Sequence, residues 1–383
     1  MDTHVAIVGV GLTPLRPVSP DLSFREMIFE AATRAYADAG VRPGDVDTFV
    51  TVAEDFHEGT SITDEYTPDQ LGAVRRPVHT IAGDGLQGLA AAYALIRSGA
   101  AEVAVVEAHS KASNIVHHEE VLALAMDPIY ERPRRLNPHA VAGLEMRRYL
   151  HEAQISPDVC AQVVVKNRGN ALRNPFAAYG AVLSPEEVRR SPPLAEPLCQ
   201  MEVSGYADGA VVLVLAAAEA ARRLPGQAVA IRGIGWASDE PSLSGRPWAQ
   251  AVYARLACEM AYRMAGIRDP AEEIDLLELD DTYAYKELQH LEAALRLEVG
   301  EGARLTAAGR TALGGALPVN PSGGSLGMGY GYDASALVRT AMAVLQIRGA
   351  GGPLQVAGAH SAAVVSWRGV PTASGGAVVL GAL

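Results

Sequence analysis

Along this chain, short runs of continuous apolar residues alternate with Ala-rich stretches in which apolar positions recur at helical spacing. Such a run between helical patterns marks a strand buried on both faces. Residues 5–10, 46–52, 102–107 and 211–215 form one series, and residues 229–234, 274–279, 354–358 and 378–380 form a second. Helices are predicted over 24–40 and 248–266, each following the first strand of its series. The series also share sequence. Val5-Ala-Ile-Val-Gly-Val-Gly11 recurs as Val229-Ala-Ile-Arg-Gly-Ile-Gly235, and Asp45-Val-Asp-Thr-Phe-Val50 as Glu273-Ile-Asp-Leu-Leu-Glu278. Glu107-Ala-His-Ser110 matches Gly358-Ala-His-Ser361, and Gly209-Ala-Val-Val-Leu213 matches Gly376-Ala-Val-Val-Leu380. Four matches in one order, at unequal spacing, point to a duplicated α/β fold. Residues 1–222 make the first half and 223–383 the second. A segment at about 116–197, richer in Arg, Pro and Asn, reads as a loop domain inserted in the first half. Halves of this kind stack as sheet, helix and sheet, and strand–helix turns place chemistry at the carboxyl ends of the strands.

Composition narrows the function classes. With 32 Lys and Arg against 44 Asp and Glu, the formal charge is −12. That argues against nucleic-acid binding, which needs a basic face, and against adhesion to anionic lipid. Three cysteines without a C-x-x-C pair disfavour both a disulfide framework and a zinc ribbon, and suit a reducing cytoplasm. The opening Met1-Asp2-Thr3-His4 lacks the basic start of a signal peptide, and the longest apolar run, residues 209–218, is too short to span a bilayer. The expectation is a cytoplasmic chain that does not enter the membrane.

Most familiar motifs are absent or incomplete. Gly9-Val-Gly-Leu-Thr-Pro14 lacks the third glycine of a dinucleotide loop, and no Gly-Lys-Ser/Thr exists for a P-loop. His117-His118-Glu119-Glu120 reads as a solvated face, because adjacent histidines on a helix point apart; no metal site is expected. Asn320-Pro-Ser-Gly-Gly324 is more informative. Gly327, Gly329 and Gly331 follow it, then a helix predicted over 335–347. Glycines there permit close approach of backbone to a ligand.

Taken together, these segments resemble the thiolase superfamily, in particular its sterol-carrier-type members. Asn320-Pro-Ser-Gly-Gly324 followed by Gly329 is similar to the family's N-x-x-G-G…G-H-P loop, and Asp208-Gly-Ala-Val-Val-Leu213 to its D-G-A-A-A-V-V-L strand. Gly83-Asp-Gly-Leu-Gln-Gly-Leu-Ala-Ala91 resembles the C-x-S-G-x-x-A nucleophile helix, and Leu277-Glu-Leu-Asp-Asp-Thr-Tyr283 the H-D-A-F segment. The resemblance covers the whole chain and implies a duplicated thiolase fold, two βαβαβαββ halves in stacked layers. The catalytic positions depart from the pattern. Gly85 stands where the nucleophilic cysteine belongs, Tyr330 replaces the G-H-P histidine, and Asp280 replaces the histidine of H-D-A-F. None of Cys160, Cys199 and Cys258 falls on a family position.

In place of the thiolate stand four tyrosines, Tyr283, Tyr285, Tyr330 and Tyr332. A phenol donates and accepts protons without a covalent intermediate. The pattern resembles thiolase-like aldolases of steroid side-chain degradation, which cleave a β-hydroxyacyl-CoA by a retro-aldol reaction alongside an OB-fold partner. The resemblance implies Tyr330 or Tyr332 for one proton transfer and Tyr283 for the other, with Asp280 or Asp281 orienting a phenol. It implies a substrate-binding set of Asn320, Gly323, Gly324, Gly85 and Tyr285, with the helix start at Asp84 and Gly85 adding an N–H for the thioester oxygen. His360 is either an additional acid or base or a buried structural histidine; Lys286 either forms a Schiff base or points to solvent. No cofactor or metal is implied, coenzyme A thioester being the substrate. The implied assembly is a homodimer paired through Val78–Ile81, extended by an OB-fold chain to a heterotetramer. Two other readings stay open at this point: an acetyl-CoA acetyltransferase-like acyltransferase, and a noncatalytic acyl-CoA- or lipid-binding or scaffold subunit.

Overall fold

The computed structural model describes residues 5–54 and 63–383, so the Met1–His4 start lies outside the described residues. In chain order the first elements are β1 (Val5–Leu12), α1 (Phe24–Ala39), β2 (Thr48–Val52), the short α2 (Thr63–Tyr66) and α3 (Pro68–Leu71), β3 (Val78–Ile81), α4 (Gly85–Arg97) and β4 (Val103–Lys111). Next come α5 (His118–Ala123), α6 (Pro138–Ala153), α7 (Asp158–Ala171), α8 (Pro185–Arg189), the ribbon of β5 (Pro193–Ala195) and β6 (Leu198–Cys199), and then β7 (Asp208–Ala217). Beyond α9 (Ala218–Ala221) the chain builds β8 (Val229–Ser238), α10 (Val252–Ala265), α11 (Pro270–Glu273), β9 (Leu276–Leu279), α12 (Ala284–Leu295), α13 (Glu301–Ala307), α14 (Gly324–Met328), α15 (Ala334–Ile347), β10 (Ser361–Val365) and β11 (Ser374–Ala382).

Nine strands form one mixed sheet in the order β3-β2-β4-β7-β1-β8-β11-β10-β9. Its two halves meet where β1 and β8 pair antiparallel, Val5 opposite Ile231 and Ile7 opposite Val229. These are the two repeated segments that open each half. Side-chain alternation explains the layers. Val211, Leu213 and Leu215 of β7 face inward with Val378 and Leu380 of β11, burying Leu86, Leu89, Leu337 and Val344 of α4 and α15 between the half-sheets. Val212 and Val214 face outward onto Met27, Ile28 and Ala31 of α1. On the opposite outer face, Val379 packs with Ala257, Ala261 and Leu288 of α10 and α12. The architecture is the duplicated, layered α/β fold expected, its halves joined through a shared strand pair.

Some boundaries shift. Gly40 and Gly266 adopt left-handed conformations at φ 67° and 75° and end α1 and α10 where expected. The strand predicted at 354–358 is instead β10, which begins at Ser361. A 3-10 turn at Gly352–Leu354 and a left-handed Gly358 at φ 71° break the earlier stretch. The match of Glu107-Ala-His-Ser110 with Gly358-Ala-His-Ser361 therefore aligns the end of β4 with the approach to β10 and is fortuitous. β3 lies at one end of the sheet, its four residues half-buried.

Candidate active site

The start of α4 is closed rather than reactive. Gly85 is its first residue, and an added Cβ would lie 2.7 Å from Leu337 Cγ, 2.8 Å from Leu337 N and 3.1 Å from Asp333 O. Asp84 caps the helix by accepting from the N–H groups of Leu86 and Gln87 at 2.8 and 3.3 Å, and from Ser366 Oγ at 2.7 Å. Burial raises the Asp84 carboxyl to about 6 despite these bonds. The N–H groups of Leu86 and Gln87 in the first turn are thus occupied by the cap.

The glycine loop is likewise turned toward protein. Asn320 is fully buried; its Oδ1 accepts from Leu279 N at 2.7 Å and its Nδ2 donates to Glu287 Oε2 at 2.7 Å. A Cβ on Gly323 would lie 2.8 Å from Ala171 Cβ, and one on Gly324 would lie 2.2 Å from Asp281 Oδ2. Asp281 accepts from the N–H groups of Ser325 and Leu326 at 2.5 and 3.1 Å and from Asn167 Nδ2 at 2.8 Å. Asp280 pairs with Arg339. The glycines therefore admit a carboxylate and helix α7, and Asn320, Asp280 and Asp281 form an interior polar core that holds β9 to the loop.

Aromatic side chains come together on the other side of this core. Tyr330 and Tyr332 follow α14, Tyr283 precedes α12, and Tyr206 precedes β7. The Tyr330 ring centroid lies 5.3 Å from that of Tyr332 and 5.8 Å from that of Tyr206. His118, at the start of α5, stacks on Tyr206 with centroids 3.6 Å apart and puts Nδ1 2.5 Å from the Tyr332 hydroxyl. His139, in the first turn of α6, puts Nδ1 3.0 Å from the Tyr283 hydroxyl. The hydroxyls of Tyr332 and Tyr283 therefore each have an imidazole partner. Tyr330 and Tyr332 line a cavity of about 290 Å³ with Glu54, Leu122, Asp333 and Arg368. Tyr330 also lines an adjoining space of about 10 Å³ with Tyr283, Tyr206, His139 and Leu122. Burial pushes the phenols of Tyr283 and Tyr330 well above their ordinary value and that of Tyr206 to about 12, so all three are neutral donors near pH 7. Burial pushes His118 and His139 down, with Glu119 partly opposing this at His139. A neutral imidazole in hydrogen-bond contact with a phenol can pass a proton in either direction.

A family model described as thiolase C-terminal domain-like matches residues 235–382. An acetyl-CoA acetyltransferase of Methanothermobacter thermautotrophicus is 29% identical over 93% of this chain and 94% of its own length. A 17-hydroxy-3-oxo-4-pregnene-20-carboxyl-CoA lyase of Mycobacterium tuberculosis is 28% identical over 96% of this chain and 97% of its own. The solved Ltp2-ChsH2(DUF35) aldolase superposes with a TM-score of 0.86 at 26% identity, covering 99% of this chain and 98% of that one. The chain has the thiolase fold, and over nearly its whole length it is similar to members of the thiolase superfamily.

Compared with these acyl-CoA enzymes, the protein is altered at the usual catalytic positions, and the groups that stand in for them are only partly those expected from sequence. Tyr283, Tyr330 and Tyr332 are brought to adjoining cavities. Tyr285 is not: it is fully buried, and its hydroxyl donates to Glu145 Oε2 at 2.8 Å. Lys286 neither reaches solvent nor offers a free amine. Its Nζ sits 2.7 Å from Glu145 Oε1 and 4.4 Å from the Trp367 ring centroid. Asp280 and Asp281 orient no phenol, because each is committed to the interior core; the histidines do that instead. Asn320, Gly323, Gly324 and Gly85 line neither tyrosine cavity. His360 is exposed just before β10, while the tyrosines gather beyond the carboxyl end of β9, which runs parallel to β10; it therefore lies at the wrong end of the sheet. His117, Glu119 and Glu120 are exposed, as a solvated face would be, and His118 alone turns inward. His118 stacks in the site, and Glu119 Oε1 lies 3.8 Å from His139 Nε2. Among the described residues no cluster suited to a metal ion occurs, and no helix is long and apolar enough to cross a membrane.

Proposed function

We propose that the protein is a cysteine-independent carbon–carbon lyase that cleaves a β-hydroxyacyl-CoA by a retro-aldol reaction. The observation that carries this reading is the pair of phenol–imidazole contacts, Tyr332 with His118 and Tyr283 with His139, together with a Gly85 whose packing leaves no room for a thiol. Retro-aldol cleavage needs a base for the β-hydroxyl and an acid for the new α-carbon. Tyr332 takes the hydroxyl proton while its own passes to His118. The Cα–Cβ bond then breaks, its electron pair goes into the thioester enolate, and the former β-carbon leaves as a ketone or aldehyde. Tyr283 protonates Cα and recovers its proton from solvent by way of His139, His118 gives up its proton to solvent, and Tyr330 donates a hydrogen bond to the departing carbonyl. The products are a carbonyl compound and a shorter acyl-CoA.

The three thiols support the same reading. Cys160, Cys199 and Cys258 are buried, and burial raises each, Cys258 to about 12, which suppresses the thiolate. A lyase and an aldolase stand among the relatives beside acetyl-CoA acetyltransferases, so it is the absent thiol that favours cleavage over acyl transfer, and the second protein named in the aldolase structure supports a partner chain. The assembly we propose is a homodimer paired along β3 and joined by an OB-fold protein. Mass spectrometry after incubation with a 3-hydroxyacyl-CoA, with and without such a partner, tests the reading. A free ketone or aldehyde with a shortened acyl-CoA is expected; a stable acyl adduct on Cys160, Cys199 or Cys258 would overturn it.

A further inference from the structure

Cleavage to an enolate requires a group that holds the thioester oxygen as charge develops on it. Of the donors expected there, Asn320, the N–H groups of Ser325 and Leu326 after the glycine pair, and those of Leu86 and Gln87 in α4 are engaged within the protein. A cation stands at the cavity instead. Arg368 follows β10 and lines the same space as Tyr330 and Tyr332. Its backbone N donates to Ser374 O at 2.9 Å, which fixes the turn. The next residue, Gly369, has φ 91°, and a Cβ there would lie 3.1 Å from the Tyr330 hydroxyl. The turn bearing the guanidinium thus passes directly beside that phenol. Nη2 of Arg368 pairs with Glu54, and the Glu54 N–H donates to Asp333 Oδ2 at 2.8 Å. Asp333 in turn precedes α15 and lines the cavity.

We propose that Arg368, held in place by Glu54, binds the thioester oxygen of the acyl-CoA and neutralises the enolate formed on it. This rests on the lyase reading above. A guanidinium carries five N–H donors in a rigid fork, so one nitrogen can stay on Glu54 while others face an oxyanion. As the Cα–Cβ pair moves onto the thioester, the oxygen becomes negative and its bonds to Arg368 strengthen. When Cα is protonated the carbonyl re-forms and they weaken, the differential binding that lowers a barrier. Glu54 is a positioning residue and touches no reacting atom.

The experiment separates enolate formation from cleavage. Butyryl-CoA has no β-hydroxyl, so it cannot be cleaved, but an enzyme that stabilises its enolate exchanges its α-hydrogens in D₂O. Mass spectrometry should show exchange with the wild-type protein and its partner. Arg368→Gln should slow both exchange and 3-hydroxyacyl-CoA cleavage by ~10²–10³-fold in kcat, with KM little changed. Arg368→Lys should recover part of both rates. The Arg368 side chain is 34% exposed, so these variants should fold, with thermal melts as the control. Wild-type exchange without cleavage would refute the retro-aldol reading and leave the role of Arg368 to be read from the variants. Absence of wild-type exchange, unchanged rates in Arg368→Gln, or a loss confined to KM would each overturn the proposal.

Discussion

Gly85 gives the sharpest structural prediction, because its environment states what a side chain would cost. A Cβ there would sit 2.7 Å from Leu337 Cγ and 2.8 Å from Leu337 N. The first neighbour is fully buried and the second is backbone of α15, so relief requires α4 and α15 to separate. Inserting atoms into a close-packed contact commonly costs ~1–3 kcal/mol, against a gain of ~0.5–1 kcal/mol from replacing glycine in a helix. Gly85→Ala should therefore lose about 1–2 kcal/mol net, and Gly85→Cys at least as much, since its sulfur adds volume. At ~2–4 °C per kcal/mol for domains of 150–250 residues, and less in a longer chain, the melting temperature should fall by a few degrees. Thermal melts by circular dichroism measure this. Intact-mass spectrometry after incubation with acetyl-CoA shows whether Gly85→Cys acquires an acyl group. A Gly85→Cys protein that melts like wild type and is acetylated at position 85 would show that the pocket accommodates a nucleophile, and the steric argument would fail.

Three further outcomes are expected. Tyr332→Phe and Tyr283→Phe should each lower the rate of cleavage by ~10²–10⁴-fold, while Tyr36→Phe, whose hydroxyl donates to Leu71 O far from the site, should retain it in steady-state assays. Burial lowers the pKa of His118 from 6.5, so its neutral, proton-accepting form persists as pH falls through 6.5. The acid limb of kcat/KM should accordingly lie below that value, and His118→Asn should abolish that limb along with most of the activity. A homodimer paired along β3 should appear in light scattering at micromolar concentration, and Thr80→Pro, which removes a ladder N–H from that strand, should shift it toward monomer.

The layered fold was legible because its strands are apolar on both faces and its opening segment is repeated; the same repeat marks the β1–β8 seam. Tyr330 was legible as the substitute for the G-H-P histidine, and Tyr283 and Tyr332 as phenols in or next to the matched motifs. What sequence hid was the identity of their partners. His118 sits in a polar quartet that looks solvated, and only the fold brings Tyr206, 88 positions away in sequence, to stack upon it. The glycine loop signalled close approach correctly but not by what: Asp281 and α7 fill the space a ligand was expected to occupy. His360 was misplaced because β10 begins at Ser361, beyond the glycine-rich turn, rather than at 354. Arg368 carries no motif at all, and its importance depends on the turn that places it beside Tyr330.

The central claim is that a C–C bond is broken through an enolate, with no acyl-enzyme and no second thiol. Cleavage of a 3-hydroxyacyl-CoA in D₂O, without added CoA, tests it most directly. The account predicts a free ketone or aldehyde and a shortened acyl-CoA carrying deuterium at Cα. Turnover that requires added CoA and yields two thioesters would contradict it.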